Sequence, residues 1–435
     1  MASASLEPQV DQHGIRFIND TVDFGGASRD SDLQRVAAAL CGWSSQDATI
    51  FQISGGITNL LFKMQPKGGQ EAVLVRVFGA KTEMMINRER DNSTCRTFFS
   101  ALHCLLLAAL FLSPVIFHQL AEAKFGPCMY GYFKNGRIEG YFDARPLEPS
   151  EMGQLTPRDM PTLIGTELAR MHCLQVPEPK TAMLWTQIDS WMAQASLLSF
   201  DADCEGEKQA KFANIDLKKV ASDLGSVRGL LPSELNSNGV ELLDAGAMEG
   251  ESAAQASGRR AARELLFEVV FSHNDLLSGN ILALADDESR VQLIDFEYGG
   301  YNYAGFDVGN HFCEHAGFDF DLDKWYPQQE VATHFLKAYV ARRMPDAASS
   351  TCEQFSGADA AACEAAFWEE GVRVANLFAL ASHFFWGLWA VIQSKHSPID
   401  FDFMQYAVER LVNGFGKHKV AFLEPELKLL KTPGQ

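Results

Sequence analysis

Several things are missing from this chain. Its nine Cys are scattered over 435 residues with no CxxC pair and no regular spacing. They therefore read as reduced thiols rather than as a disulfide framework, the pattern of a cytoplasmic protein. Positive charge is short: 37 Lys and Arg against 56 Asp and Glu leave a net charge of −19. Nucleic acids and anionic membrane surfaces repel such a protein, whereas a small cationic ligand suits it weakly. The opening MASASLEPQV lacks the basic start and apolar run of a secretory signal, which adds to the cytoplasmic expectation. Formal charge is absent altogether from Thr97 to Ala121, whose centre FFSALHCLLLAALFLSPVIF is long enough to span a bilayer.

What is present is a large apolar fraction, 47% of the residues, enough at this length for a sizeable core divided between two lobes. Residues 1–30 read as a loose arm in which IRFINDTVDF offers an edge strand. Ser31 to Cys41 has a capping Ser and helical spacing of Leu33, Val36, Ala37 and Leu40. Ile50–Ile53 and Leu60–Met64 read as strands around Ser54, Gly55, Gly56, Ile57, Thr58 and Asn59. Such a turn either lets backbone N–H groups approach phosphate or is a plain hairpin. In Ala72 to Phe78 alternation sets Arg76 opposite Val75 and Val77, as a phosphate contact or a solvent-facing charge. Residues 126–147 alternate like two strands around Lys134-Asn135-Gly136, Thr162 to His172 is a helix, and Leu243 to Arg260 has the composition of a disordered surface loop.

The chemistry concentrates between Phe267 and Gly317. One apolar run, Phe267 to Phe271, leads to Asp275 with Asn280 five residues on; a second, Val291 to Ile294, leads to Asp295. Paired as a hairpin, the two runs bring all three polar groups to one end. Asp followed by Asn and a second Asp is the pattern by which phosphoryl-transfer enzymes set a proton acceptor beside oxygen ligands for Mg²⁺. Each residue taken alone is equally a solvated turn former. Farther on, Phe367 to Gln393 is apolar, with Trp386 and Trp389 three apart on one helix face, and Phe401 and Tyr406 follow. These aromatics are either core or the wall of a site for an ammonium group, which ring quadrupoles attract.

The segments HNDLLSGNIL, LIDFEYGGYNYAGFDVGNHFCE and ASHFFWGLWAVIQSKHSPIDFDFMQYAVERL resemble those of the choline/ethanolamine kinases, with the ethanolamine branch nearer. The similarity begins near Ile50 and covers most of the chain beyond it. It implies an α+β, bilobal protein-kinase-like fold. A small β-rich nucleotide-binding lobe would occupy residues 31–142, and a larger, mainly helical catalytic and amine-binding lobe residues 143–435. It implies ATP and Mg²⁺ as cofactors, with Asp275 catalytic and Asn280 and Asp295 on the metal. Ser54, Gly55, Gly56, Thr58, Asn59 and Arg76 would meet the nucleotide phosphates, and Ile138 to Phe142 would link the lobes. Asp91, or failing it Glu89, would pair with Arg76. Glu314, Trp386, Trp389, Phe401 and Tyr406 would surround the amine.

The reaction so implied is phosphorylation of the hydroxyl of ethanolamine to phosphoethanolamine, the first step of the CDP-ethanolamine route to phosphatidylethanolamine. Choline kinase and a catalytically impaired binding protein are the alternatives. A bilayer crossing at 97–121 would part the glycine-rich strands from the Asp275 loop, so no stable membrane insertion is expected. Relative to the family the stretch from Arg88 to Pro127 is long, and excising about Cys95 to Ile116 restores an amphipathic helix. An in-frame insertion is therefore expected there, with retained intron sequence as one origin. The expected partner is a small amino alcohol; a homodimer is left open.

Overall fold

A computed structural model describes residues 7–11, 14–23, 26–43, 48–53, 59–78, 114–232, 250–344, 352–397 and 400–431. The apolar run 97–113, Ser54 to Thr58, Glu89 and Asp91 lie outside them. The chain forms two compact units, the first comprising residues 1–144, 284–286 and 292–298, the second the remainder.

The first unit is built on a seven-stranded sheet. Its strands are β1 (Gln9–Val10), β2 (Arg16–Ile18), β3 (Ala48–Ile53), β4 (Asn59–Pro66), β5 (Val73–Phe78), β6 (Met129–Phe133) and β7 (Gly136–Gly140). Their order is β1-β2-β6-β7-β5-β4-β3. Period-2 alternation does what it predicts: Val73, Val75 and Val77 are wholly buried, and Arg76 takes the other face. Helix α1 (Arg29–Cys41) lays Leu33, Val36, Ala37 and Leu40 against that apolar face, with Phe62, Met64 and Ile138 in the same cluster. It ends at Gly42, whose φ of 72° is the left-handed cap that glycine adopts without a Cβ penalty. Helix α2 (Pro114–Glu122) buries Phe117 and Leu120. Ile138 to Gly140 lie within β7, Ile138 facing Val75, so they are sheet rather than linker.

The second unit is mainly helical. After β8 (Ala144–Pro146) come α3 (Met160–His172), α4 (Leu184–Ala195), α5 (Ala202–Phe212), α6 (Leu217–Arg228) and α7 (Ala253–Phe267). Ser252 and Gln255 close a capping box at the start of α7. The tract 243–260 is thus helix from Ala253 onward, a correction to the loop expected there; its alanines favour helix once Ser252 supplies the cap. Strands β9 (Val269–Ser272), β10 (Ile281–Leu284), β11 (Val291–Leu293) and β12 (Gly300–Tyr303) lead into α8 (Ala304–Glu314), with Leu284, Gln292 and Leu293 counted in the first unit. Helices α9 (Gln329–Arg343), α10 (Ala358–His396) and α11 (Phe403–Val408) follow, α11 running on through a π-helical stretch, Glu409–Gly414.

The expected hairpin does not form. Strand β9 pairs antiparallel with β12, Tyr301 opposite Phe271, while β11 neighbours β10. Phe267 belongs to the end of α7, and the run Ile281 to Leu284 lies closer along the chain to Val291 than the first run does. Sequential strands joined by short turns pair preferentially.

Helix α10 is long and apolar enough to cross a membrane, but 89% of its most hydrophobic 18-residue window is buried inside the protein. It is the helix around which the second unit packs. Cys352 and Cys363, the latter near its start, form a disulfide, which corrects the expectation that every Cys is a free thiol. Their separation of 11 residues signals nothing by itself; a Cα–Cα distance of 5.8 Å is what joins them.

Candidate active site

Strand β9 is buried and ends in a loop, His273 to Leu276, that one helix holds from behind. Asp307, on the first turns of α8, is fully buried and accepts the backbone N–H of His273 at 2.6 Å and of Asn274 at 2.7 Å. It also faces His172 Nε2 at 3.0 Å, while His172 Nδ1 lies 2.7 Å from the Tyr339 hydroxyl. A carboxylate only accepts, so Nε2–H donates to Asp307 and Nδ1 accepts from Tyr339. Burial lowers the His172 pKa, consistent with a neutral ring. One turn on, His311 Nδ1–H donates to the Leu276 carbonyl at 2.9 Å, and burial holds that imidazole near 4. Asn274 sits at φ 64°, a left-handed conformation that Asn tolerates better than most residues.

That loop presents Asp275. The Asn280 amide, at the end of a short 3₁₀ turn, donates to the Asp275 carbonyl at 2.9 Å and to its Oδ2 at 3.1 Å. Two residues five apart are thereby joined, without the hairpin expected to bring them together. Asn280 turns its amide hydrogens on Asp275, so its acceptor oxygen is directed away from that carboxylate.

Glu314, at the far end of α8, is buried and bonded to the Arg410 guanidinium. Arg410 is wholly buried. Its Nε donates to the Tyr406 hydroxyl at 2.9 Å and its Nη1 to Ser382 Oγ at 3.3 Å. Burial pushes the Tyr406 phenol up, and the negative charges of Glu314 and Asp275 act in the same direction. The Arg410 charge opposes them. Around them the rings interlock edge to face: Trp386 with Trp389 at 5.3 Å, Trp389 with Phe403 at 5.5 Å, and Phe318 with Phe401 at 5.5 Å. The cluster grades from exposed Phe318 and Phe401 to buried Trp386 and Tyr406.

In the first unit Arg76 Nη2 lies 3.4 Å from Glu139 Oε1, and Arg137 Nε lies 2.7 Å from Glu139 Oε2. Arg76 stands opposite Arg137 in the β5–β7 register, which makes Glu139 its diagonal neighbour on the same face. Asp295, at φ 60°, and Glu297 act electrostatically on Arg76. Burial, reinforced by the charge of Asp295, pushes the Glu297 carboxyl up to about 8. Asn59 opens β4 opposite Phe78. Ser54, Gly55, Gly56 and Thr58 lie outside the described residues.

Residues 50–113 and 109–415 match the sequence model of choline/ethanolamine kinases. The chain belongs to the choline/ethanolamine kinase family. A probable ethanolamine kinase of Arabidopsis thaliana is 35% identical over 383 residues, spanning 87% of this chain and 82% of that protein. A choline/ethanolamine kinase of Homo sapiens is 29% identical over 84% of this chain and 79% of its own length. Among solved structures, Plasmodium vivax ethanolamine kinase superposes with a TM-score of 0.57 at 22% identity, covering 91% of this chain and 89% of that one. The fold is thus the protein-kinase-like one of this family, as expected.

Several contributors escaped the sequence reading, among them Glu139, Arg410, Phe318 and Phe320. Glu139 was hidden because its partner Arg76 lies 63 residues away, although the i, i+2 pair Arg137 and Glu139 was in view. Arg410 stands four residues after Tyr406, the spacing that stacks two side chains on a helix face. Phe318 and Phe320, whose rings lie 6.0 and 6.1 Å from that of Tyr406, follow Glu314 closely but fall in a turn rather than on its helix.

Proposed function

We propose that this chain transfers the γ-phosphoryl group of ATP to the hydroxyl of ethanolamine. The observation that carries this reading is the placement, in one unit, of a hydrogen-bonded Asp275–Asn280 pair and an aromatic cluster containing the buried carboxylate of Glu314. A primary ammonium is satisfied by such an acceptor together with the faces of aromatic rings. The names of the relatives support the same substrate class. Asp275 accepts or orients the hydroxyl proton, which turns the alcohol into a competent nucleophile. Trp386, Trp389, Phe401 and Tyr406 with Glu314 hold the amine. Arg76 and the segment Ser54–Asn59 steady the nucleotide phosphates.

Asn280 and Asp295 would hold magnesium. The residue types suit it, since an amide oxygen and a carboxylate are hard ligands; Glu297, pushed up chiefly by burial and further by the charge of Asp295, adds acid beside that carboxylate, whose repulsion a divalent cation would relieve. When bound, the ion offsets charge on the transferring phosphoryl group. Choline is the second reading, and the number of rings around Tyr406 favours it, since a trimethylammonium is recognised by aromatic faces alone. The reading includes a cytoplasmic setting.

Purified protein, with and without residues 95–116, is assayed for ADP release with ethanolamine and with choline. Ethanolamine-dependent release with the lower KM for ethanolamine is expected. A folded protein that releases ADP with neither amine overturns the reading; preference for choline replaces it with the second.

A further inference from the structure

We infer that Asn310 is a positioning residue that ties the aromatic wall to the loop presenting Asp275. The inference rests on the proposed phosphotransfer reaction. Asn310 is fully buried on α8, one turn after Asp307 and one turn before Glu314, so it faces the same side as both. Its amide is divided between two parts of the site. Nδ2–H donates to the Asn274 carbonyl at 3.2 Å. Oδ1 accepts the Ser382 hydroxyl at 2.7 Å and the Trp386 indole N–H at 2.9 Å.

The first bond bears on the peptide unit that joins Asn274 to Asp275. That peptide follows a residue at φ 64°, so its plane is not fixed by a regular strand or helix. Its carbonyl is held by Asn310, and its N–H faces His273 Nδ1 at 3.3 Å. Rotation of the plane would swing the Asp275 side chain. The other two bonds fix the Trp386 ring and, through Ser382, reach Arg410, which holds Glu314 and Tyr406. A single amide therefore sets the separation between the proton acceptor and the amine wall, the distance an amino alcohol must bridge between its hydroxyl and its ammonium.

Asn310→Asp separates the two functions. A carboxylate still accepts from Ser382 and Trp386, but it has no hydrogen to give the Asn274 carbonyl and repels it. Misplacement of a reacting group by an ångström costs about 10²-fold in rate, so kcat should fall about 10- to 100-fold. KM for the amine should stay within about 3-fold, because the wall keeps its bonds. Asn310→Ser, which retains a small donor, should recover part of kcat and serves where Asn310→Asp does not fold. The inference is overturned if folded Asn310→Asp keeps wild-type kcat, if KM rises in step with a falling kcat, or if Asn310→Ser is as inactive as Asn310→Ala. Absence of amine-dependent ADP release in the wild type would instead remove the proposed function itself.

Discussion

Helix α8 approaches α10 so closely that a single methyl group should displace it. A Cβ built on Gly309 would stand 2.4 Å from the Ala375 carbonyl oxygen and 2.7 Å from the Ala379 nitrogen. Ordinary contact begins at 3.4 Å, so Gly309→Ala requires the helices to part by about 1 Å at that point. Both clashing atoms are backbone inside a 39-residue helix and cannot rotate aside. The gain in helix propensity, about 1 kcal/mol, is outweighed by overpacking of ~1–3 kcal/mol, leaving a net loss of roughly 0–2 kcal/mol. The activity change should be larger, because α8 carries Asp307, Asn310, His311 and Glu314. An ångström at a reacting group is worth about 10²-fold in turnover. Gly225→Ala is the matched control: it lies inside α6, and nothing stands within 4 Å of the added Cβ. It should raise stability by about 0.5–1 kcal/mol and leave kcat unchanged. Urea unfolding followed by helical signal, together with ADP release, reads both quantities. A Gly309→Ala protein with wild-type kcat would refute the close-packing account of how the site is held.

Asp275→Ala should lower kcat by roughly 10²–10⁴-fold without unfolding the protein; near-normal turnover contradicts its assignment as proton acceptor. Trp389→Leu should raise KM for the amine by about 2- to 30-fold, the worth of one cation–π contact of ~0.5–2 kcal/mol, with a smaller change in kcat. An unchanged KM takes that ring out of the amine site. Acidification should destabilise the second unit. Burial, with Arg410 adding to it, holds His418 near 3, and burial holds His311 near 4, both below the unfolded value of about 6.5. The unfolded chain then binds more protons, so their contribution is complete above about pH 6.5 and is lost as pH falls toward 4 and 3. At pH 5 that amounts to about 2 kcal/mol for each histidine. Equal urea midpoints at pH 7.5 and pH 5 would contradict the burial of these rings as neutral groups.

Local patterns carried the sequence reading a long way. Alternation assigned Arg76 to the polar face of β5, spacing joined Asp275 to Asn280, and three-residue spacing put Trp386 against Trp389. These are short-range relations, and period and spacing report them directly. The failures are pairings. Val269–Ser272 finds Gly300–Tyr303 rather than Val291, because two apolar runs advertise burial without naming a partner. Glu139 and Arg410 stayed hidden for the same reason: an ion pair is decided by which strands or helices become neighbours. Cys352 and Cys363 show it again, since nothing in an 11-residue separation distinguishes them from the five cysteines that are free thiols among the described residues, at 41, 128, 173, 204 and 313. Composition misled once, at Ala253–Arg260, where alanine and glycine suggested disorder and a capping box made helix.

The two ends of the site differ in how freely they can be rebuilt. At the loop end, the Asp307 carboxylate answers two backbone N–H groups and an imidazole that is itself bound to Tyr339 of α9. Replacing any one member would disturb three helices at once. At the other end, Phe318 and Phe401 touch mainly other rings and are partly open to water. Under the proposed placement of the amine, retargeting to bulkier or smaller amines should therefore succeed by exchanging those outer rings, with the Asp275 loop left untouched.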